Sequence, residues 1–266
     1  MHPIERLRFV ARSQGAPADV LVQESAIALG AFRDDPAGMV AACRRIIDRQ
    51  LTCAPLWWLC ARMLCSPEPM REAHLAVTEL ESDPTARLLA EALPDDVTVV
   101  LVGWPDQTVG AVRRRGDVEV LLVDVDGESD EAARQLDRIN VEAVPVAARN
   151  AGVAVRSADL VIIDALALGP AAALVPAGSL AVAAAARHAE IPVWAVAGVG
   201  RLMPARMFEA LAGRWSDSVD PLDAVEELMP LDLVDRLAGV DGVVEVAQGL
   251  VRTDCPIAPE LFRLAG

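Results

Sequence analysis

The sequence predicts an α/β protein, in which a helical N-terminal domain is followed by a Rossmann-like parallel-sheet domain. Residues 4–92 show helical periodicity with almost no strand pattern, and from Pro94 short β-branched runs alternate with alanine-rich helical stretches. A chain of 266 residues is long enough for one large core or two modest ones. We therefore expect a helical domain over 1–93 and a sheet domain over 94–266.

Turn signals divide the N-terminal part into about five helices. The segment PLWWLCARML at 55–64 is apolar on nearly every side, which predicts the central buried helix of this domain. The turns that separate the helices are rich in Gly, Pro, Asp and Ser and fall at 15–17, 34–36, 52–55, 66–69 and 82–84.

Continuous apolar runs in the second half predict the strands of a buried parallel sheet. These runs lie at 97–102, 118–123, 141–146, 160–163 and 192–197. Helices are expected between them at 108–115, 130–138 and 179–188. Beyond Leu228 the pattern predicts a helix at 231–237 and an extended segment at 242–246.

Composition excludes several classes of chemistry. All 24 basic residues are arginines, and the chain contains no lysine and no tyrosine, so a lysine Schiff base, a P-loop lysine and a tyrosine acid or base are ruled out. The net charge of −15 argues against a nucleic-acid partner, because the phosphates would be repelled.

Location and cofactors are predicted from apolar runs and cysteine spacing. No apolar run approaches the ~18 residues of a membrane span, and the N-terminal segment lacks a signal-peptide pattern, so we expect a cytoplasmic protein that does not enter a membrane. The five cysteines form no CxxC pair, and the three histidines lie far from one another. We expect buried thiols, no metal site and no cofactor.

Residues that follow the strands are the candidates for a site, since ligands of parallel sheets bind outside the carboxyl ends of the strands. Asp106, Asp124, Asp126 and Asp164 fall there and predict either a cation or cationic-ligand site or ordinary loop and cap residues, with Asp106 capping the helix that begins at Thr108. No GxGxxG follows the first strand, which disfavours a dinucleotide-dependent oxidoreductase.

One stretch of the sheet domain resembles the translation initiation factor 2B-like family. It consists of ADLVIIDA at 158–165, Gly178-Ser179 before an alanine-rich helix, and IPVWAV at 191–196, and the resemblance extends in outline over nearly the whole chain. The family includes the alpha, beta and delta subunits of the initiation factor, methylthioribose-1-phosphate isomerase and ribose-1,5-bisphosphate isomerase. The resemblance implies a homodimer that pairs through the sheet domain.

The family's catalytic positions hold other residues in this chain. Trp104 stands where the isomerases have a cysteine after the first strand, and Leu166 stands where they have the aspartate of a Gly-Ala-Asp triplet. Their lysine-containing phosphate segment corresponds to 176–179, which retains Gly178 and Ser179 as an N-cap or an anion site, and their phosphate-binding arginine corresponds to Asp126.

These departures imply a family member without isomerase activity, which is a pseudoenzyme that acts as a binding or regulatory protein. The alternative is an isomerase of a phosphorylated ribose derivative that uses Asp164 as acid and base. Under either interpretation, a small-molecule ligand at the strand ends is expected to contact Trp104, Asp106, Thr108, Asp126, Asp164, Leu166, Gly178 and Ser179.

Trp104 is expected to fill the vacated pocket by lying across it toward Leu166, although it could instead be a stacking platform for a ligand ring. Arg12 and Arg201 are the arginines nearest to the expected cleft, and surface roles are the simpler interpretation for both. Cys53 is the one cysteine that the family comparison makes a candidate nucleophile.

Overall fold

A computed structural model of the protein describes residues 5, 10, 12, 16–125, 127, 129–251, 253 and 255–262. The α/β fold class is confirmed, with helices before a mostly parallel sheet. Within the described residues, no helix combines the length and the apolar character that crossing a membrane requires.

The chain packs as two compact units that interleave in sequence. The first comprises Met1–Asp83, Val199–Ser218 and Thr253–Gly266, and the second comprises Pro84–Gly198 and Val219–Arg252. The sequence-based division supposed a single boundary at residue 94. That division into domains stays a prediction, because compact packing units need not be independent domains.

Four described helices of the first unit lie between the predicted turns, and they span Ala18–Leu29, Pro36–Arg49, Ala54–Cys65 and Pro69–Glu81. A further helix spans Ala205–Ser218, and 3-10 turns lie at Gly30–Phe32 and Pro259–Phe262. Local chemistry explains one start directly. The Asp35 side chain accepts a hydrogen bond from the Gly38 N–H at 2.9 Å, and Pro36 occupies the first helical position, where no N–H is needed. The helix at Ala205–Ser218 was not predicted.

The helix Ala54–Cys65 is buried as predicted. Its two tryptophans are almost completely inaccessible, and the Trp57 Nε1–H donates to the Leu51 carbonyl at 3.0 Å. The guanidinium of Arg62 lies 4.9 Å from the Trp58 ring centroid, and that of Arg214 lies 5.4 Å from the Trp57 ring centroid. Each ring is therefore covered by a cation, an arrangement that stabilises buried aromatic side chains.

The second unit is built on a seven-stranded sheet in the order β10-β9-β7-β4-β1-β2-β3. Every neighbouring pair is parallel except β9 and β10. The strands are β1 (Thr98–Val102), β2 (Glu119–Asp124), β3 (Ala143–Ala147), β4 (Leu160–Asp164), β7 (Val193–Val196), β9 (Arg236–Gly239) and β10 (Gly242–Glu245).

Helices cover this sheet because its central strands are apolar on both faces. All residues of β4 are buried, and Leu101, Leu122 and Ile162 belong to one hydrophobic core with Leu89 of a covering helix. The helices of this unit are Thr85–Ala92, Asp106–Val112, Ser129–Arg138, Ala151–Arg156, Ser179–Ala189 and Val246–Gly249, with 3-10 turns at Ala148–Asn150 and Leu231–Leu233.

Two parts of this unit differ from the sequence-based expectation. An antiparallel sheet of order β5-β6-β8 was not predicted; its strands are Ala167–Leu168, Ala172–Pro176 and Glu226–Pro230. The helix expected at 231–237 is wrong, since only Leu231–Leu233 is helical and Arg236–Gly239 forms β9. Residues 236–239 form a strand despite their helix-like pattern because they pair with β7 on one side and with β10 on the other.

The order of the strands creates a crevice between β1 and β4. The chain moves outward from β1 to β2 and β3, and then β4 returns to the opposite side of β1. Connections therefore leave β1 and β4 in opposite directions, and the carboxyl ends of these two strands form the topological switch point where ligands of such sheets bind.

Candidate functional site

Asp164 and Thr108 meet at the switch point. The Asp164 carboxylate accepts hydrogen bonds from the Gln107 N–H at 2.9 Å, the Thr108 N–H at 3.3 Å and the Thr108 hydroxyl at 2.5 Å. Thr108 is completely buried and Asp164 is 5% exposed. A carboxylate at the end of β4 thus caps the helix Asp106–Val112 from a neighbouring strand.

This contact changes the role predicted for Asp106. The helix begins at Asp106 itself and follows Pro105, whose side chain cannot accept a hydrogen bond. The expectation that Asp106 caps a helix from Thr108 is therefore wrong. Asp106 is an exposed residue of the first turn, where its negative charge interacts favourably with the helix dipole.

A second carboxylate accepts a hydrogen bond at the N-terminus of the helix that follows β6. Gly178 precedes the helix Ser179–Ala189 at a φ of 90°, and the Leu180 N–H donates to Glu227 Oε1 at 2.8 Å. Glu227 belongs to β8, the neighbour of β6. The helix N-terminus at which the sequence left open an anion site is therefore already bound to a carboxylate of the protein.

Ser179 is completely buried, and its hydroxyl has no hydrogen-bond partner in the described part of the chain. The Ser179 hydroxyl does not cap the helix because Gly178 is the N-cap and Ser179 is the first helical residue. A Cβ atom on Gly178 would lie 2.8 Å from Val125 Cγ1, so both the positive φ and the close approach require glycine here.

The loops after β1, β2 and β6 lie at the same edge of the sheet. An added Cβ at Gly103, which has a φ of 64°, would lie 3.8 Å from Pro176 Cβ, and one at Gly178 would lie 4.0 Å from Val102 Cγ1. The structure thus brings Thr108 and Asp164 into direct contact and places the Gly178 turn against the ends of β1 and β2.

Trp104 does not fill a pocket at this edge. It is 41% exposed, whereas a plug would be buried, so the prediction that its ring closes the vacated site is wrong. Gly103 adopts a positive φ, and Trp104 follows it before the helix begins. Leu166 is half-buried and its N–H donates to the Leu174 carbonyl at 2.9 Å, within the small antiparallel sheet.

The remaining aspartates do not build a cation site with Asp164. Asp124 Oδ1 accepts a hydrogen bond from the Gly127 N–H at 2.8 Å, which closes the turn after β2. Asp126 lies outside the described residues. Among the side chains that the structure does describe, no three His, Cys, Asp or Glu residues are grouped so that they could hold a metal ion.

Comparison with solved structures reveals the fold. No protein-family model and no curated protein matches the sequence. The translation initiation factor eIF-2B of Pyrococcus horikoshii OT3 is similar over 93% of this chain and 98% of its own, with a TM-score of 0.76 and 16% identity. This protein has the initiation factor 2B-like fold.

Initiation factor subunits and an isomerase both occur among the proteins with this fold. A chain of the tetrameric eIF2B-beta2-delta2 complex of C. thermophilum is 16% identical to this protein, with a TM-score of 0.73. The match covers 93% of this protein and 92% of the chain from the complex. The 5-methylthioribose 1-phosphate isomerase of Pyrococcus horikoshii OT3 is 15% identical, with a TM-score of 0.65. The match covers 94% of this chain and 87% of the isomerase chain. The initiation factor 2B-like fold therefore does not by itself decide between regulation and catalysis.

Cys53, the candidate nucleophile, is not activated. Burial raises the pKa of its thiol to about 11, although the Leu56 N–H and the positive charge of Arg201 oppose the shift. Roughly one thiol in ten thousand is then ionised at pH 7. Arg201 is half-buried and Arg12 is exposed. The first unit thus offers no reactive thiolate at Cys53.

Glu227 is the residue of this site that the sequence did not reveal. It lies 47 residues from Leu180, whose N–H it accepts, and no local pattern marks a residue as the cap of a distant helix. The pairing of β6 with β8 brings it there, and that pairing was not predicted.

Proposed function

We propose that this protein is a binding or regulatory protein of the initiation factor 2B-like fold without isomerase activity. The observation that carries the proposal is that Asp164 and Glu227 each place a carboxylate on the N-terminus of a helix at the carboxyl edge of the sheet. Free N–H groups at helix N-termini are the usual binding sites for phosphate in α/β proteins. Here the N–H groups of Gln107, Thr108 and Leu180 already have an anionic partner.

Charge supports the same conclusion. A phosphorylated sugar brought to this edge meets the carboxylates of Asp164 and Glu227, and like charges at close range in a partly buried site repel strongly. Binding would require breaking a cap, which costs about 0.5–2 kcal/mol in addition to the repulsion. The edge therefore favours an uncharged or cationic small molecule as its ligand.

The residues at the isomerase positions also lack the required chemistry. Neither the indole of Trp104 nor the side chain of Leu166 can transfer a proton at neutral pH. Both oxygens of Asp164 accept hydrogen bonds from the capped helix, so an acid–base role requires the helix start to be released. Exposed Trp104 can instead stack on a flat or cationic ligand group.

The experiment is a direct assay with methylthioribose-1-phosphate and ribose-1,5-bisphosphate, in which we expect no turnover. A parallel measurement of melting temperature with each sugar phosphate should show no stabilisation. Turnover of either compound that is lost in Asp164→Asn would instead establish the alternative, an isomerase that uses Asp164. Turnover that survives this substitution would contradict both.

Assembly and location complete the proposal. We expect a homodimer, in line with the resemblance to the family and with the tetrameric complex among the similar structures. Light scattering at micromolar concentration tests this, and a monomer would contradict it. The cytoplasm is the proposed location, because all five cysteines are free thiols, as is usual in a reducing compartment.

A further inference from the structure

Cys65 and Cys255 line one groove in the surface of the first unit. Cys65 is the last residue of the helix Ala54–Cys65 and is exposed, whereas Cys255 belongs to the C-terminal segment and is 4% exposed. The groove has a volume of about 580 Å³, and Arg62, Glu72 and Glu79 also line it. An accessible thiol therefore shares a surface with a thiol that solvent barely reaches.

The two sulfur atoms contact the carbonyl groups of adjacent residues. The Cys65 thiol donates to the Ile257 carbonyl at 3.5 Å, and the Cys255 thiol donates to the Pro256 carbonyl at 3.6 Å. Consecutive Cα atoms are about 3.8 Å apart, so these contacts place both thiols at one short stretch of chain. The thiols also interact electrostatically, because burial and then the charge of an ionised Cys65 raise the pKa of Cys255 to about 12.

The stretch of chain around Cys255 is irregular, with no helix or strand at 253 or 255–258. Its polar contacts are local, since the Cys255 N–H donates to Thr253 Oγ1 at 3.2 Å and the Thr253 hydroxyl donates to the Leu202 carbonyl at 2.9 Å. A disulfide requires the two Cα atoms to lie within about 7 Å of each other. An irregular stretch adjusts to that distance more readily than a packed helix does.

Cys43 and Cys60 also lie beside each other, since a hydrogen bond with the Cys43 side chain is the main reason that the pKa of Cys60 is raised. Both residues are completely buried, so a dissolved reagent reaches neither thiol in the folded protein. Access therefore distinguishes the two pairs. Exposed Cys65 gives the pair with Cys255 an entry point that Cys43 and Cys60 lack.

The groove around Cys65 carries negative charge. Arg62 pairs with Glu72 at 2.8 Å and with Glu79 at 2.5 Å, so these three side chains together carry one net negative charge. Glu260 adds another, because burial and then the charge of Glu260 raise the pKa of the Cys65 thiol. An anionic reagent is repelled by this field and a cationic one is attracted.

We propose that Cys65 and Cys255 form a thiol–disulfide modification site, at which a cationic low-molecular-weight disulfide oxidises the pair to an intramolecular disulfide. The Cys65 thiolate attacks one sulfur of the reagent, which breaks its S–S bond and releases one thiolate. The Cys255 thiolate then attacks the Cys65 sulfur of the mixed disulfide and displaces the second. The pair loses two protons and two electrons, and the reagent is reduced to two thiols. The inference goes beyond the proposed function, since no residue of the carboxyl edge takes part.

The disulfide links the C-terminal segment covalently to the helix Ala54–Cys65. The whole second unit lies between the two cysteines in the sequence, so the bond closes a loop that contains it. Closing a long loop restricts the unfolded chain more than the folded one. The oxidised protein should therefore melt at a higher temperature than the reduced protein, and a thiol reductant should reverse the difference.

The test is incubation of the reduced full-length protein with cystamine at about pH 8.5, near the ordinary pKa of a thiol. The remaining thiols are then alkylated, and peptides are identified by mass spectrometry. We expect two of the five thiols to be lost, a peptide cross-linked between Cys65 and Cys255, and no retained cysteamine. At low salt, cystamine should react about threefold or more faster than oxidised glutathione, which is anionic, and added salt should reduce that ratio.

Substitutions separate the two steps. Cys255→Ser should stop the reaction at a mixed disulfide on Cys65, and Cys65→Ser should prevent thiol loss in the folded protein. Glu260→Gln should speed the reaction of Cys65 with oxidised glutathione about twofold or more, because it removes a repelling charge that also raises the thiol pKa. The matched control is Glu209→Gln, at an exposed residue of the helix Ala205–Ser218, which should leave every rate unchanged.

Several results with the unsubstituted protein would overturn the proposal, so the test does not depend on the folding of a variant. A mixed disulfide that persists on Cys65 shows that Cys255 cannot reach it. A cross-link between Cys43 and Cys60, a cross-link between two chains, and the absence of any thiol loss each contradict the assigned pair. Equal or faster reaction with oxidised glutathione contradicts the cationic reagent and likewise overturns the proposal.

Discussion

Thr108 and Asp164, which are 56 residues apart in the sequence, are joined by two hydrogen bonds in the interior of the second unit. The hydroxyl and the N–H of Thr108 both donate to the carboxylate at the end of β4. This contact fixes the start of the helix Asp106–Val112 to the neighbouring strand, and it connects the two sides of the topological switch point. Asp164, which the sequence offers as a catalytic acid, thus serves as the cap of this helix.

Asp164→Ala should lower the free energy of unfolding by about 2–4 kcal/mol, because it removes a charged acceptor from buried donors. Asp164→Asn, which keeps one acceptor oxygen, should cost less. Urea unfolding followed by circular dichroism measures both. In a double-mutant cycle with Thr108→Val, the two residues should show a coupling energy of about 1 kcal/mol or more. Additive effects would contradict the capping role.

Glu227→Ala should convert the N-terminus of the helix Ser179–Ala189 into an anion site. The substitution frees the Leu180 N–H and should lower stability by about 1 kcal/mol in the absence of anions. Inorganic phosphate should then raise the melting temperature of the variant more than that of the unsubstituted protein. An equal response of the two proteins to phosphate would show that Glu227 does not block this terminus.

Gly200→Ala should destabilise the first unit by about 2 kcal/mol or more. Gly200 has a φ of 74°, and an added Cβ would lie 3.0 Å from Trp58 Cε3 and 3.2 Å from Pro55 Cα. Gly213→Ala is the matched control, because Gly213 lies within a helix and an added Cβ meets nothing within 4 Å. That change should raise stability by about 0.5–1 kcal/mol. Thermal unfolding of the two variants should thus shift in opposite directions.

Trp104→Ala should change stability by less than about 1 kcal/mol, since the side chain is largely at the surface. A tryptophan that filled a pocket would instead cost about 3–5 kcal/mol on truncation. Chemical denaturation distinguishes the two values. A large loss would restore the interpretation of Trp104 as a plug.

Cys53 should resist alkylation by iodoacetamide at pH 7 and react progressively faster as the pH rises toward 11. The thiolate is the reactive form, and burial raises the pKa of this thiol to about 11, so the rate should increase about tenfold per pH unit below that value. Exposed Cys65 should be modified before Cys53. Peptide mass spectrometry identifies the modified residue, and rapid labelling of Cys53 at pH 7 would contradict the shift.

The elements that the sequence predicted are those with long or continuous apolar patterns. The helix at Ala54–Cys65 and the strands β1, β2 and β4 could be located because each is apolar over nearly its whole length. β5 and β6 lie in an alanine-rich stretch with no such periodicity. β9 has a helix-like pattern that strand pairing overrides. The sequence places Thr108 and Asp164 near the carboxyl ends of strands, but the capping carboxylates depend on contacts between distant residues, which no local pattern encodes.

The interleaving of the two units also determines the order in which the protein can be completed during synthesis. When the ribosome has released the chain through Gly198, the central strands β1–β4 and β7 are already present, although β9 and β10 are not. The helices between Ala18 and Glu81 are also present by then, yet their unit still lacks Val199–Ser218 and Thr253–Gly266. Arg44 Nε donates a hydrogen bond to the Glu260 carbonyl at 2.7 Å, a contact that cannot form until Glu260 has been synthesised. The helices between Ala18 and Glu81 therefore expose apolar surface until the later segments of their unit have been made, and a chaperone can protect that surface in the meantime.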